Sequence, residues 1–468
     1  VHGRSTPNVS PTEILQLRRQ IAFFVQQQKG LSLMSDSTHQ NSNSPRTPMR
    51  VALLGYGTVG ATVARLLTEP TFSGIELTHI FNRNVARKQA AANSIASSVV
   101  WTESIDQILG SDVDVIVELT GGVDPTEHWV RAALEKGKHV VTANKQLIAL
   151  RGTDLLALAA EHDRQLLYGA AVAGGVPVIP GILQGISADR ITAISGIVNG
   201  TCNFILSKME NGASYADVLA EAQGLGYAEA DPSADVDGYD ARAKLCILAR
   251  IAMHVQLDPN TVPTQTISTI DAIDFTYAHD LNCTIRQIAQ ARLTAADDAE
   301  TKTVQARVAP MLVPRSSPLA FSRGTQNTVV TTGQFGGDVV FSGRGAGGEP
   351  TAIAVLSDLL AVAQNAHQTA MPVHAATVDG DLAAPHYLRF VVDDRPGIVF
   401  AIAGALAAAG ANIDSLLQRP GYPKHRLPFV ITTESSPTSV IERAIATVSR
   451  MDFTLEPPLC LPMIAAEP

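Results

Sequence analysis

The sequence predicts an α/β protein in three parts: a parallel-sheet domain first, a mixed α+β domain second, and a small split βαβ module last. Three observations carry this. From Met49 onward, apolar strand-like and helix-like segments alternate, as in a parallel sheet. Three glycines, Gly55, Gly57 and Gly60, join the first strand to the first helix. Residues 386–468 read strand–helix–strand–strand–helix–strand.

The 468 residues are too many for one ordinary domain. Hydrophobic residues make up 46% and charged residues 17%, a balance that builds cores. A net charge of −9 and a pI near 5.7 argue against nucleic acid or an anionic membrane as the main partner. The cysteines, Cys202, Cys246, Cys283 and Cys460, form no CxxC pair, which fits a reducing cytoplasm and gives no zinc pattern. No apolar run is long enough to span a membrane, and no secretory leader is read at the start.

Residues 1–48 read as a disordered extension, because "SDSTHQNSNSPRTP" is polar and of low complexity. "MRVALLGYGTVGATVARLL" is strand, glycine turn and helix, and "IELTHIFN" is the second strand. "VDVIVELTGG" reads as a later buried strand, with the helix "TEHWVRAALEKG" after it stopped by Gly137, and "KHVVTANK" as the next strand. These place a nucleotide-type sheet domain over 49–168. A mixed domain follows over 169–340, with helices such as "YADVLAEAQGLG". The helix "PTAIAVLSDLLAVAQ", within about 340–365, completes the first domain. Residues 366–385 read as a linker, and 386–468 as a ferredoxin-like module.

Gly55, Tyr56, Gly57, Thr58, Val59 and Gly60 form G-x-G-x-x-G between strand and helix. The first glycine permits the turn, the second admits a pyrophosphate, and the third allows close helix–strand packing. The helix start adds favourable partial charge for phosphates. An NAD site usually carries an acid near the end of the second strand. Here "HIFNRN" offers Asn82 and Arg83, with Arg87 and Lys88 behind, which favours NADP over NAD. The same cations also read as solvated surface charges.

The stretch "GYAEADPSADVDGYDARAKL" holds five acids and then a lysine. It fails as a calcium loop, because Lys244 falls where a bidentate Glu is required. His128, His139 and His162 are isolated and suggest no transition metal. Projected as a helix, one face holds Asp240, Ala241, Lys244, Leu245, Leu248, Ile251 and Val255, while Arg242, Cys246, Arg250 and Met253 point the other way. Asp240 and Lys244 thus pair at i,i+4 on the more apolar face. An ordinary surface pair is the plain alternative. Buried charge is costly unless paired or functional, which points to a site. Hydride transfer from a carbinol needs its hydroxyl proton removed, and a lysine held partly out of water can serve both directions. Glu229 and Asp240 suit the ammonium of an amino-acid substrate, with Asp235 or Asp231 behind them.

"GYGTVG", "GKHVVTANK", "VAGGVPVI", "GIVNGTCNFILSKM", "GYAEADPSADVDGYDARAKL" and "GRGAGGEPTAIAVLSDL" occur in one order. With them the chain resembles the homoserine dehydrogenase family, in its long form with a C-terminal ACT domain. The resemblance covers about 50–365 and 386–468. It implies a Rossmann-type domain and NAD(P)-dependent interconversion of L-homoserine and L-aspartate 4-semialdehyde, toward threonine and methionine. It also implies proton transfer by Lys244, substrate binding by Glu229 and Asp240, and a Lys145 that reaches both cofactor and substrate. Thr120, Gly226 and Gly347 would complete the nucleotide site. On sequence alone Lys145 reads as a solvated strand-end lysine. The resemblance further implies a homodimer or homotetramer.

In this family a Glu commonly precedes "VAGG" and helps hold a monovalent cation; here Gly169 stands at that place. The carbonyls of Val172, Gly174 and Val176 remain as sodium ligands. In the ACT-like tail, Asp394, Gly397 and Asn412 are candidates for an amino-acid pocket, and threonine is the implied effector. A dimerisation module without a ligand is the alternative. Two rival readings stand beside the main one. A phosphorylating semialdehyde dehydrogenase would need a nucleophilic cysteine, for which Cys202 is the candidate. A non-catalytic nucleotide and amino-acid sensor would need no proton donor.

Overall fold

The computed structural model describes residues 47–92, 95–294, 302–365 and 373–464. The expectation for residues 1–48 falls, as far as residue 46, outside the described residues.

β1 (Met49–Leu54), β2 (Ile75–Phe81), β3 (Val100–Thr102), β4 (Val115–Glu118), β5 (His139–Thr142) and β6 (Leu166–Leu167) form a parallel sheet in the order β3-β2-β1-β4-β5-β6. Its central strands are apolar on both sides, as a sheet covered on both faces requires; Val51 to Leu54 and Val115 to Val117 have no exposed surface. The order reverses between β1 and β4, and ligands of such sheets bind outside the carboxyl ends of the strands at that point. α1 (Thr58–Leu66) follows β1, α2 (Thr126–Glu135) follows β4, and α3 (Lys145–Glu161) follows β5. α2 ends as expected: Gly137, at φ 73°, lets the Lys138 amide return to the Ala133 carbonyl.

β7 (Ile191–Ile197), β8 (Val255–Gln256), β9 (Cys283–Leu293), β10 (Lys302–Pro314), β11 (Gln326–Gly333), β12 (Gly337–Arg344) and β13 (His374–Asp379) make a second sheet in the order β12-β11-β7-β9-β10-β13-β8. α4 (Gly200–Met209), α5 (Tyr215–Gly224), α6 (Tyr239–Met253) and α7 (Ala272–Asp280) accompany it. α8 (Gly348–Ala363) returns to the first sheet, where Val355, Leu356 and Leu359 share a core with Val63 and Val117.

Two features differ from the reading of the sequence. The stretch 366–385, read as linker, contains β13, whose Ala376–Asp379 pair in parallel with Lys302–Gln305. The edge of β10 offers an unpaired ladder, and Thr377 and Val378 suit a strand that fills it. Residues 366–372 of that stretch lie outside the described residues. The second difference is in α6, where Cys246, Arg250 and Met253, placed on the less apolar side by projection, are all buried. α6 runs between α3 on one side and β7 and β9 on the other, so nearly its whole circumference is covered. Arg250 survives there by donating to the Ile148 and Ala149 carbonyls and to Gln256.

The last module contains β14 (Ala383–Ala384), β15 (His386–Val392), α9 (Ile398–Ala409), β16 (Ile413–Leu417), β17 (Leu427–Thr433), β18 (Ser436–Pro437), α10 (Thr438–Val448) and β19 (Leu459–Pro462). Its four-stranded antiparallel sheet runs β16-β17-β15-β19. One face packs on α9 and α10 through Ile402, Leu406, Ile441 and Val448. Tyr387, Val430 and Leu461 instead share a core with Tyr277 of α7 and Ile205 of α4. The Tyr387 hydroxyl donates to Asp274 at 2.8 Å, and Arg389 bridges Asp271 and Asp274. Among the described residues no helix is long and apolar enough to cross a membrane.

Candidate active site

The glycine turn lies at the carboxyl end of β1. Gly55 has φ 103°, and a Cβ on Gly60 would stand 2.3 Å from the Gly55 carbonyl oxygen, so neither position accepts a side chain without displacement. Gly57 has nothing within 4 Å of where a Cβ would stand, leaving room for a phosphate. Tyr56, by contrast, turns its ring inward against Trp101.

A cavity of about 390 Å³ opens beside this turn. Thr58 and Val59, at the start of α1, line it together with Gly347 and Gly348, at the start of α8. Two helix N-termini therefore face one space, which suits anionic phosphates. Lys145 and Lys244 line the same cavity.

Lys145 is the first residue of α3, brought to the sheet's carboxyl edge by β5. Lys244 lies one turn after Asp240 in α6, which is entered through Gly238 (φ 83°). Both amines reach Asp240: Lys145 Nζ stands 2.5 Å from Oδ1 and Lys244 Nζ 2.8 Å from Oδ2. Asp240 and Lys244 keep only 7% and 12% of their side-chain surface exposed, against 38% for Lys145. Lys244 Nζ also donates to the Val198 carbonyl at 2.7 Å. Burial pushes the Asp240 carboxyl up, but the Lys244 and Lys145 charges outweigh it and hold the group well below the usual carboxylate range. For Lys145, burial works downward and Asp240 more than offsets it, so the ammonium form is favoured.

The i,i+4 pairing of Asp240 and Lys244 is as the helical projection has it. Asp235 joins them through Asn199, whose Nδ2 donates to Asp235 Oδ1 at 2.7 Å and to Asp240 Oδ2 at 2.9 Å. Burial raises the Asp235 pKa, the Asn199 hydrogen bond opposes that, and Asp240 adds to the rise, with a net upward shift. Glu229 is exposed and stands outside this cluster, acting on Lys145 only through its field. Gly226, at φ 74°, is exposed and does not line the cavity. Arg83 is exposed just beyond β2, and its neighbour Asn82 is bound through the Thr102 carbonyl.

Thr120 belongs to a network that reading the sequence missed. Glu118, with no exposed surface, accepts from the Thr120 amide and hydroxyl at 2.7 Å each and from the Gly121 amide at 3.1 Å through Oε1. Its Oε2 accepts from Thr142 at 2.5 Å. Thr142 in turn accepts from the Asn144 amide, and the Asn144 side chain donates to the Gly122 carbonyl and caps α3. One carboxylate thus ties together the ends of β4 and β5, immediately before Lys145. An acid directly after the apolar run Val115–Val117 was the available signal.

Val172 and Val176 are buried, and Gly174 has φ 54°. The Val176 carbonyl already accepts from the Val178 amide at 2.7 Å. A Cβ on Gly169 would meet Asp358 Oδ1 at 2.8 Å, and Asp358 accepts from the Gly169 amide. Burial pushes the Asp358 carboxyl up to about 7. Cys202 is wholly buried, its thiol pushed well above the ordinary range, with Sγ donating to the Asp235 carbonyl. In the last module Asp394 and Gly397 line a cavity of about 230 Å³ with Arg395, Phe400 and Gln418. Asn412 is not part of it, and its amide donates to Glu434 at 3.1 Å.

Comparison with known proteins points to one family. Residues 55–169 match the family model of the homoserine dehydrogenase NAD-binding domain, 177–360 that of homoserine dehydrogenase, and 386–450 that of the ACT domain. A homoserine dehydrogenase of Neisseria gonorrhoeae is 35% identical over 431 residues, 88% of this chain and 97% of that protein. One from Mycobacterium tuberculosis is 38% identical over 386 residues, 79% of this chain and 86% of that protein. The crystal structure of a homoserine dehydrogenase from Thiobacillus denitrificans superposes with a TM-score of 0.80 at 32% identity, covering 89% of this chain and 98% of that one. A hyperthermophilic archaeal homoserine dehydrogenase in complex with NADPH has a TM-score of 0.57 at 27% identity, covering 68% and 98%.

Proposed function

The chain belongs to the homoserine dehydrogenase family, and from that premise we propose that it interconverts L-homoserine and L-aspartate 4-semialdehyde with Lys244 as the proton-transfer group. The observation that carries the reading is the convergence of Lys145 and Lys244 on Asp240, inside the cavity that the glycine turn lines. The nicotinamide, when bound, takes or gives the hydride at the substrate carbon. Lys244 does the proton work. Of its three N–H donors, Asp240 and the Val198 carbonyl engage two, which leaves the third for the substrate oxygen. In oxidation the neutral amine accepts the hydroxyl proton; in reduction the ammonium returns it to the carbonyl oxygen. Asp240 stays ionised throughout and keeps the amine aimed. Lys145, favoured as an ammonium, binds and orients anionic groups of cofactor or substrate. Glu229 and Asp240 bind the substrate's α-ammonium side, with Asp235 behind them.

NADP is the preferred cofactor in this reading: Arg83, exposed just beyond β2, is a cation that suits a 2′-phosphate, and no acid stands at the end of β2 to repel it. A sodium ion at the Val172, Gly174 and Val176 carbonyls would draw on Asp358, the carboxylate brought against Gly169. Threonine acts as effector in the Asp394–Gly397 cavity, where Asp394 suits its ammonium and Arg395 its carboxylate. The enzyme works in the cytoplasm, on the route to threonine and methionine, as a homodimer or homotetramer. Exposed Phe321 and Phe335, beside the second sheet, fit self-association. The cysteine-dependent alternative loses its nucleophile, since a buried thiol so hard to ionise does not attack.

The test is spectrophotometric. Nicotinamide absorbance is followed with L-homoserine and NADP or NAD, with and without threonine. Lys244→Ala is expected to abolish hydride transfer while cofactor binding stays near normal. A variant that keeps most of its activity would remove Lys244 from the mechanism.

A further inference from the structure

We propose that Asn199 is a positioning residue for the reaction: its single amide nitrogen bridges Asp235 and Asp240 and so keeps Asp240 free to hold Lys244. The proposal rests on Lys244 being the proton-transfer group.

Asn199 is buried just before α4. Its Oδ1 accepts from the Cys202 amide at 2.8 Å and caps that helix. Its Nδ2 spends one hydrogen on Asp235 Oδ1 and the other on Asp240 Oδ2. The amide orientation is fixed by its neighbours: two carboxylates accept, so nitrogen must face them, and a backbone N–H donates, so oxygen must face it. Asp240 Oδ2 is the oxygen that also takes Lys244 Nζ. Asp235 is anchored separately, its backbone carbonyl accepting from Cys202 Sγ and from Gln287 Nε2. The two carboxylates are therefore held on either side of one nitrogen, and among the described residues no cation is bonded to Asp235.

Without that nitrogen, a half-buried Asp235 has a simpler way to settle its charge. Two neighbouring carboxyls share one proton, with Asp235 donating to Asp240. A proton shared in this way competes with Lys244 for Oδ2 and removes the charge that aims the amine. The upward pressure on the Asp235 pKa, opposed by Asn199, acts in the same direction. Asn199 thus separates two acids that would otherwise titrate as a pair.

Asn199→Ser separates this role from simple helix capping. Serine caps as well as asparagine but carries one donor, so it cannot serve both carboxylates. The expected result is a thermal midpoint near wild type with kcat/KM lowered at least about tenfold. Measured in the reductive direction, where the acid limb follows loss of the Asp240 charge and not deprotonation of Lys244, that limb of the kcat/KM profile should move upward by about one pH unit. Asn199→Asp keeps the cap, adds a third carboxylate, and should be worse on both counts. Asn199→Ala reports the loss of cap and bridge together. Wild-type kcat/KM and an unmoved acid limb in Asn199→Ser would overturn the proposal. So would losses across all three variants that follow thermal stability alone. Lys244→Ala is measured in parallel: if it stays active, the mechanism itself is wrong, whereas a dead Lys244→Ala beside a normal Asn199→Ser removes only Asn199.

Discussion

Lys145 and Lys244, ninety-nine positions apart in the chain, grip opposite oxygens of the one Asp240 carboxylate, at 2.5 and 2.8 Å. Each cation approaches from a different domain, Lys145 from the parallel-sheet domain and Lys244 from the mixed one, so Asp240 is a joint between the two. Asp240→Asn removes the charge and leaves two ammonium groups facing a neutral amide. Breaking such a pair is expected to cost about 3 kcal/mol of stability. The larger effect should be on turnover, with kcat lowered on the order of 100-fold as Lys244 loses its aim. Denaturant melts and steady-state kinetics read the two effects separately.

Glu118→Gln addresses the support beneath Lys145 and the Thr120 turn. Thr142 both donates to Glu118 and accepts from the Asn144 amide, so it has no simple way to satisfy a glutamine NH₂. The mismatch at a fully buried site should cost about 2 kcal/mol of stability. Leu119 and Thr120 stand against Gly55 of the glycine turn, so cofactor affinity should fall about tenfold, with a smaller change in KM for homoserine. Fluorescence titration with NADPH checks the first number. An unchanged affinity would mean the loop is held without Glu118.

Legibility in the sequence followed the range of the interaction. Gly55, Gly57 and Gly60 announce their turn because each requirement is local: one positive φ, one open approach, one close contact. Asp240 and Lys244 were readable for the same reason, since helical period brings i and i+4 together whatever surrounds them. Lys145 was not readable from its own neighbourhood, because what makes it more than a strand-end lysine is an aspartate in another domain. Asn199 was hidden likewise, its partners lying in other helices, and so was the part of the Glu118 network that crosses to Thr142 on the neighbouring strand. Arg250 shows the opposite limit. Projection tells which residues share a face of α6, but not that a second layer covers the other face. β13 escaped for a related reason, as a short run of His, Ala, Thr and Val becomes a strand only when a ladder is waiting for it.

Arg83→Ala tests the cofactor preference. Arg83 is exposed and has no bonded side-chain partner among the described residues, so its removal should leave stability unchanged within about 0.5 kcal/mol. KM for NADP should rise about tenfold, the size of one lost charge-assisted phosphate contact, while KM for NAD stays put. Equal effects on both cofactors would mean that the guanidinium does not meet a 2′-phosphate.

His386 opens β15 with no exposed surface and neither ring nitrogen in a well-formed hydrogen bond, beside the Ala384 backbone and the Arg307 cation. Burial first, and Arg307 second, push its pKa down to about 4, so the folded protein holds it neutral. The unfolded chain protonates the same ring near the ordinary value of 6.5. Between those values the unfolded state binds more protons, and stability falls as the pH falls. The contribution is complete above about pH 6.5 and lost toward pH 4, amounting to about 3 kcal/mol in all. His386→Leu keeps the volume, deletes two unsatisfied polar atoms and cannot take up the proton. It should raise the unfolding midpoint slightly at pH 7.5 and flatten the decline between pH 6.5 and 4. Because β15 carries Tyr387 and Arg389, which dock the ACT module on α7, acid should loosen the C-terminal module of the wild type first. Limited proteolysis at pH 4.5 is expected to release a C-terminal fragment from the wild type and not from His386→Leu. Parallel acid profiles for the two proteins would place the acid sensitivity elsewhere.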